Sequence, residues 1–250
     1  MANGQPETIR SHEDATDRIS WISGYETEAE VEAAARQIVE YFDLKSFVFG
    51  AFFRTGEREN YRYLVGCVPE WCYLYNGNKW YAIDPFVEYA LKNANPVVAS
   101  DIALSTAGQE RMMATAAEHG FRSGIVVPAH SAFTVRIGVL YLGTGEGPEQ
   151  ARESLLRHRS LMRAFAQELL EWWDAKLRET SLEELDLDDL DLDLLTKAQQ
   201  QATAEEAARE LGVTISRVNS RYERLTRKLD APNKRVAAEK AAELGLIKSR

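Results

Sequence analysis

The chain has 250 residues, 45% of them hydrophobic and 28% charged, with a formal net charge of −9. These proportions are those of a globular protein, and the length suits two domains of unequal size. No apolar run approaches the roughly 18 residues of a spanning helix, and the polar, acidic N-terminus lacks the apolar core of a signal peptide, so a cytoplasmic protein without membrane association is expected. Cys67 and Cys72 have no matching Cys or His pair elsewhere, so no zinc site and no cofactor are expected; the two read as small buried hydrophobes.

In chain order, residues 1–20 read as loosely attached. From Thr27 onward Val31, Ala34, Ala35, Ile38, Val39 and Phe42 recur at helical spacing. Residues 46–55, rich in aromatic and β-branched side chains, read as a strand. Residues 57–60 form a polar turn and residues 62–68 a second strand, together a hairpin. Pro69 opens a helix through Trp71 and Tyr75 that stops at Asn76-Gly77-Asn78. Asp84-Pro85 starts a short helix over 86–92, and a further helix over 106–119 ends at Gly120. Strands come next at 124–129 and 134–142, then a long helix over 148–178. This order predicts an α/β (α+β) fold: over residues 20–178, an α/β/α sandwich around an antiparallel sheet of four or five strands. A cavity fits between the sheet and one helical layer. The stripe Leu155, Leu161, Met162, Phe165, Leu169, Trp172 and Trp173 on the long helix is a candidate dimer surface, a face packed on the sheet, or both.

Residues 179–193 carry eight acids and no base. The stretch reads as a charged linker or, from its regular leucines, as a helix packed on the C-terminal domain. Residues 187–250 then read as a small all-α domain. Thr203 and Glu206 form a capping box, Gly212-Val213 makes a tight turn, and Thr214 caps the next helix. That helix places Val218, Tyr222, Leu225 and Leu229 on one face and Arg217, Arg221, Arg224 and Lys228 on another. Such a helix suits the major groove, with Thr214, Ser216, Asn219 and Ser220 beside the basic residues as DNA contacts. From Thr196 onward the chain carries twelve Lys and Arg against seven Asp and Glu, a net of +5, which leaves −14 on the rest. A basic tail on an acidic body is compatible with DNA binding at that end. A last helix covers 234–244.

These residues together resemble the LuxR-type quorum-sensing transcription regulators over roughly residues 25–248. Pro69-Glu70-Trp71, Tyr75 and Trp80-Tyr81-Ala82-Ile83-Asp84-Pro85 resemble the family's signal-binding segment, differing by one residue ahead of the Trp. His119-Gly120-Phe121-Arg122-Ser123-Gly124 through Pro128 is similar to the family's entry to a strand. The ending, from Asn233 through Ala237-Ala238 to Ala242-Glu243-Leu244-Gly245, is similar to its closing helix. The resemblance implies a homodimeric receptor for an N-acyl- or aryl-homoserine lactone that binds double-stranded DNA. It implies that Trp71 donates to the lactone carbonyl, that Asp84 accepts from the ligand amide, and that Tyr75 walls the pocket. Tyr63 joins that wall, while Pro85 and Gly124 hold the local backbone.

The departures are specific. A family tyrosine is Cys67 here and a family tryptophan is Ala99, which predicts a reshaped pocket and admits a ligand other than a homoserine lactone. The family's L-T-x-R-E-x-E-V-L falls on residues 187–195 as LDDLDLDLL, with Asp191 for the glutamate, and a turn glycine is Gln201. An acidic first helix faces phosphates poorly, which predicts weak DNA affinity. Two alternatives stand beside the receptor: an antagonist that heterodimerises with an active homologue, and an enzyme acting on the ligand. The enzyme has little support, because His119 and His130 belong to no metal or nucleophile motif.

Overall fold

The computed structural model describes residues 9–53, 62–131, 133–134 and 136–248. The turn expected at 57–60 lies outside them. The chain divides into two compact units: one is formed by residues 1–130 and 137–172, the other by residues 131–136 and 173–250.

The first unit begins with a helix, α1 (His12–Ser20), where the sequence reads as loosely attached. Ser11 and Asp14 close a capping box at its start, and Ala15 and Ile19 are buried beneath it. Nine mostly polar residues give a weak periodic signal, and two buried contacts per two turns suffice to hold them. Helix α2 (Glu28–Tyr41) is capped by Thr27 and buries Val31, Ala34, Ala35, Ile38 and Val39, as its spacing requires. Strands β1 (Ser46–Phe53) and β2 (Arg62–Gly66) pair antiparallel, Phe49 opposite Leu64. Helices α3 (Pro69–Gly77), α4 (Pro85–Lys92) and α5 (Ala107–Glu118) come next, with a two-residue strand β3 (Val97–Val98) between the last two. Strands β4 (Ser123–His130) and β5 (Arg136–Thr144) form the centre of the sheet.

The five strands lie in the order β2-β1-β5-β4-β3. Every residue of β5 is buried, which only a sheet covered on both faces achieves. Alternation along the strands divides the core. Val48, Phe52, Val126, Ile137, Val139 and Tyr141 face a cluster with Trp71, Phe86, Val87, Ala90 and Met112 from α3, α4 and α5. Their neighbours Phe47, Phe49, Ile125, Leu140 and Leu142 are buried on the opposite face. The α/β/α arrangement around an antiparallel sheet is therefore the observed one.

The long helix read at 148–178 is two helices, α6 (Pro148–Arg157) and α7 (Arg159–Leu185), interrupted at His158. The stripe Leu155, Leu161, Met162, Phe165, Leu169, Trp172 and Trp173 is buried within the monomer. It fills the interior and is not a free dimer surface. The two units divide within α7, between Trp172 and Trp173.

In the second unit the acidic stretch is helical at both ends rather than an extended linker. After α7 the chain turns at Asp186, at positive φ, and re-enters a helix at α8 (Asp189–Gln199), capped by Asp188. Helices α9 (Ala204–Leu211), α10 (Ile215–Lys228) and α11 (Lys234–Glu243) complete the unit. Leu194, Leu195, Ala207, Val218, Leu225, Ala237 and Ala241 form their common core. Gly212 terminates α9 at φ +65°, a left-handed position that relieves the helix end without Cβ strain. Helix α9, this turn and α10 make a helix-turn-helix.

Candidate functional site

A pocket of about 60 Å3 lies between the sheet and the α3–α5 layer. Val48, Phe52, Val65, Phe86, Val87 and Val139 give it apolar walls, and Met112 and Met113 line one side. Its polar groups are few: Trp71, Tyr75, Asp84, Asn76, Cys72, Tyr63 and Tyr141. Apolar walls with a handful of fixed polar groups are what an amphiphilic ligand requires.

Each polar group is set by a local device. Pro69 sits in the first turn of α3, and the helix then presents Trp71 and Tyr75 one turn apart. Trp71 stacks on Trp80 at 5.6 Å between ring centres, and lies 5.8 Å from Tyr75 and 6.0 Å from Phe121. Asp84 is the N-cap of α4, with one carboxylate oxygen accepting the Phe86 amide at 2.7 Å. Its other oxygen accepts the Tyr75 hydroxyl, also at 2.7 Å. Asp84 is thus a cap and a pocket carboxylate at once. Gln109 donates to the Ile83 carbonyl at 2.9 Å and ties α5 to the loop that carries Asp84.

Tyr141 comes from β5 and is buried, with no partner for its hydroxyl among the described residues. Burial, and secondarily the Asp84 charge, push its phenol pKa up, so it stays a neutral donor. Cys67 lies beside the pocket cluster, and its Sγ is 3.8 Å from that of Cys72.

Of the ligand contacts read from the sequence, Trp71, Tyr75, Asp84 and Tyr63 line the pocket. Cys67 and Ala99 belong to the surrounding cluster, and Pro85 is buried at the start of α4. Gly124 stands behind the wall: a Cβ there would come within 2.4 Å of the Leu142 carbonyl oxygen and 2.5 Å of the Tyr141 ring. Its role is to let β5 and Tyr141 close in. Tyr141, Cys72 and the methionines of α5 were not legible as pocket residues, because strand register and helix stacking bring them there. His119 and His130 each donate a ring N–H to a backbone carbonyl, of Thr115 at 2.8 Å and Asn93 at 3.1 Å.

The basic face of α10 is divided. Arg221 pairs with Asp188 at 2.6 Å and with Asp191 at 2.8 Å, and Arg224 pairs with Asp191. Lys228 donates to the carbonyls of Leu185 and Asp186 at 2.6 and 2.7 Å. Asp191 is fully buried and also closes the capping box of α8 with Asp188. Thr214, Ser216, Arg217, Asn219 and Ser220 remain exposed, as do Ile215 and Arg227. Of the acids in 187–195, Asp191 is directed inward onto Arg221 and Arg224 and Asp188 pairs with Arg221 at the surface, while Asp189 and Asp193 stay exposed.

A model of the autoinducer-binding-domain family matches residues 27–171. The chain belongs to the LuxR-type quorum-sensing regulators. It is 28% identical to the transcriptional activator protein AhyR of Aeromonas hydrophila over 189 residues, 72% of this chain and 71% of that protein. AsaR of Aeromonas salmonicida matches to the same extent. Among solved structures, SdiA of Escherichia coli aligns over 94% of this LuxR-type chain and 98% of its own, with TM-score 0.71 and 19% identity. A second SdiA structure, in complex with octanoyl-rac-glycerol, has TM-score 0.68 and 18% identity, over 97% and 100% of the two chains. The N-acylhomoserine-lactone-dependent factor CepR2 of Burkholderia cenocepacia aligns over 65% of this chain and 95% of its own, with TM-score 0.55 and 19% identity. The family is one of transcription regulators and not of enzymes. Among the described residues no helix is long and apolar enough to cross a membrane.

Proposed function

We propose that this LuxR-type regulator senses an N-acyl- or aryl-homoserine lactone through residues 20–178 and binds promoter DNA as a homodimer through residues 187–250. The observation that carries the reading is the convergence of Trp71, Tyr75 and Asp84 on one otherwise apolar pocket. The Trp71 indole N–H serves the lactone carbonyl, and Asp84 accepts the amide N–H while keeping the Tyr75 hydroxyl and the Phe86 amide as its other partners. The Tyr141 hydroxyl supplies a further donor for a ligand carbonyl. A pocket of about 60 Å3 holds a few water molecules. An acylated lactone therefore enters by displacing side chains, and Met112 and Met113 are the most adaptable of the wall residues.

On α10 the DNA contacts divide into two groups. Thr214, Ser216, Arg217, Asn219 and Ser220 face outward to phosphates and base edges, with Ile215 beside them for a thymine methyl. Arg221, Arg224 and Lys228 reach DNA only by leaving the acids of 186–191. That commitment favours a second reading, an antagonist that pairs with an active homologue and binds no DNA itself. A footprint by the purified protein on a promoter fragment would exclude it.

The receptor reading is tested by thermal unfolding against a panel of acyl- and aryl-homoserine lactones, with octanoyl glycerol included as an acylated probe without the lactone. A ligand at a hundred times its Kd adds about 2.7 kcal/mol. A shift with one lactone that Asp84→Ala removes establishes the reading. No shift with any lactone overturns it, and a shift with octanoyl glycerol alone redirects it to a glycerolipid signal.

A further inference from the structure

Cys67 and Cys72 are the only two cysteines of the chain. They meet at the junction of β2 and α3, where Cys67 comes directly after the last strand residue and Cys72 lies one turn into the helix. Their sulfurs are 3.8 Å apart and both side chains are half-buried. A disulfide needs about 2.05 Å between sulfurs. The remaining approach is within the reach of side-chain rotation, because Pro69 and the first turn of α3 already hold the two backbones near each other.

We propose that Cys67 and Cys72 form a redox-active dithiol that a hydroperoxide converts to an intramolecular disulfide in the wall of the pocket. Cys72 is the attacking sulfur, since it lines the cavity and a small peroxide reaches it there. Its thiol pKa is held down to about 7, first by the hydrogen bond from Cys67 and also by the backbone N–H of Cys72 itself. Cys67 is pushed the other way, by the same hydrogen bond and by burial, and keeps its proton. One thiolate beside one thiol is the arrangement of an attacking and a resolving cysteine.

The chemistry balances with hydrogen peroxide as oxidant. The Cys72 thiolate attacks one peroxide oxygen; an S–O bond forms, the O–O bond breaks, and the departing hydroxide takes a proton from solvent to become water. The Cys67 sulfur then attacks the sulfenic sulfur of Cys72. The S–S bond forms as the S–O bond breaks, and the Cys67 proton leaves with the hydroxide as a second water. Two thiols are oxidised by two electrons and one peroxide is reduced to two waters.

The disulfide closes a loop whose members include Trp71, adjacent to Cys72. The bond fixes the Cys72 side chain against Cys67 and so changes the pocket wall beside the Trp71 indole. This effect on binding rests on the receptor reading, whereas the thiol chemistry does not.

The test treats the reduced full-length protein with a stoichiometric amount of hydrogen peroxide and tracks intact mass and non-reducing electrophoresis. The expected product is a monomer lighter by two hydrogens, restored by dithiothreitol, with both thiols lost to titration. With two cysteines in the chain, that mass assigns the bond without a variant. Cys67→Ser is expected to stop at a sulfenic acid on Cys72 that a 1,3-diketone traps. Two thiols still titratable after treatment, an intermolecular disulfide, or oxygen added to Cys72 without a crosslink would each overturn the proposal. Lactone-induced thermal shifts are then compared between reduced and oxidised protein. A shift smaller in the oxidised form supports the coupling and an equal shift removes it. Absence of any shift in the reduced form counts against the receptor reading and leaves the mass result standing.

Discussion

Tyr141 places a buried hydroxyl in the pocket wall with no partner among the described residues. A donor that the protein leaves unpaired is a cost that a pocket water offsets in part and a ligand carbonyl offsets more fully. Tyr141→Phe is therefore expected to stabilise the ligand-free protein by about 1 kcal/mol while weakening ligand binding, and thermal unfolding with and without lactone reads both. Tyr75→Phe acts in the other direction. It removes the hydrogen bond that the Tyr75 hydroxyl donates to the Asp84 carboxylate, and a loss of about 1 kcal/mol in the unliganded protein is expected by the same measurement. Gln201 sits at φ +63° after α8, where a Cβ is strained and glycine is not. Gln201→Gly should raise stability by about 1 kcal/mol, less what glycine adds to unfolded-chain entropy. The residue by which this chain departs from the family turn is thus a source of strain, visible in the sequence as a substitution and in the structure as a backbone angle.

At the scale of elements, α8 and α10 are held together by charge as well as by leucines. Asp191 is fully buried, whereas Arg221 and Arg224 keep 20% and 35% of their side-chain surface. Removing Asp191 takes the carboxylate partner from Arg224, leaves Arg221 with Asp188 alone, and opens the capping box of α8. Asp191→Ala is expected to destabilise the second unit by roughly 2–3 kcal/mol, at the low end for a broken buried pair because both arginines reach water. Chemical denaturation monitored by circular dichroism reads this. Arg217→Ala, on the exposed face, should weaken DNA binding without changing that midpoint.

The break between α6 and α7 carries its own pH dependence. His158 stacks on Phe42 with ring centres 5.6 Å apart. Burial, then the charge of Arg157, holds its imidazole pKa below the ordinary value of 6.5. The fold prefers the neutral ring. Its contribution is complete above the unfolded value and is lost as pH falls through the lower folded value. The thermal midpoint should therefore drop as pH is lowered below about 6.5. The difference between wild type and His158→Phe isolates this group, and an identical pH profile for both would remove the assignment.

Among the described residues the two units have hydrophobic interiors of their own, around the sheet in the first and among α8–α11 in the second. Separate cores permit separate unfolding. Calorimetry is expected to resolve two transitions, with a lactone raising the one that belongs to the pocket-bearing unit and Asp191→Ala lowering the other. A single transition that both perturbations move together would show that the units unfold as one.

Much of this was legible from the residues alone. The spacing of Val31, Ala34, Ala35, Ile38 and Val39 specifies α2. Pro69, Asp84-Pro85 and Thr203 through Glu206 specify where helices begin, and the alternation of apolar residues specifies the strands. These signals are local, because a helix start or a strand face depends on neighbours within a few positions. Trp71, Tyr75 and Asp84 were recognisable because the segment that carries them is short and keeps the spacing of its family. Other features depended on contacts far apart in the chain. Tyr141 enters the pocket because β5 pairs with β4 in the register that places it opposite Val126. Cys67 and Cys72, read as separate small hydrophobes, become a thiol pair only when α3 turns back on the end of β2. The acids of 187–195 read only as an acidic helix; that Asp188 and Asp191 pair with Arg221 and Arg224 follows from the packing of α8 on α10. Sequence periodicity determines which face of an element is apolar, whereas tertiary packing decides which charge meets which and what closes around a cavity.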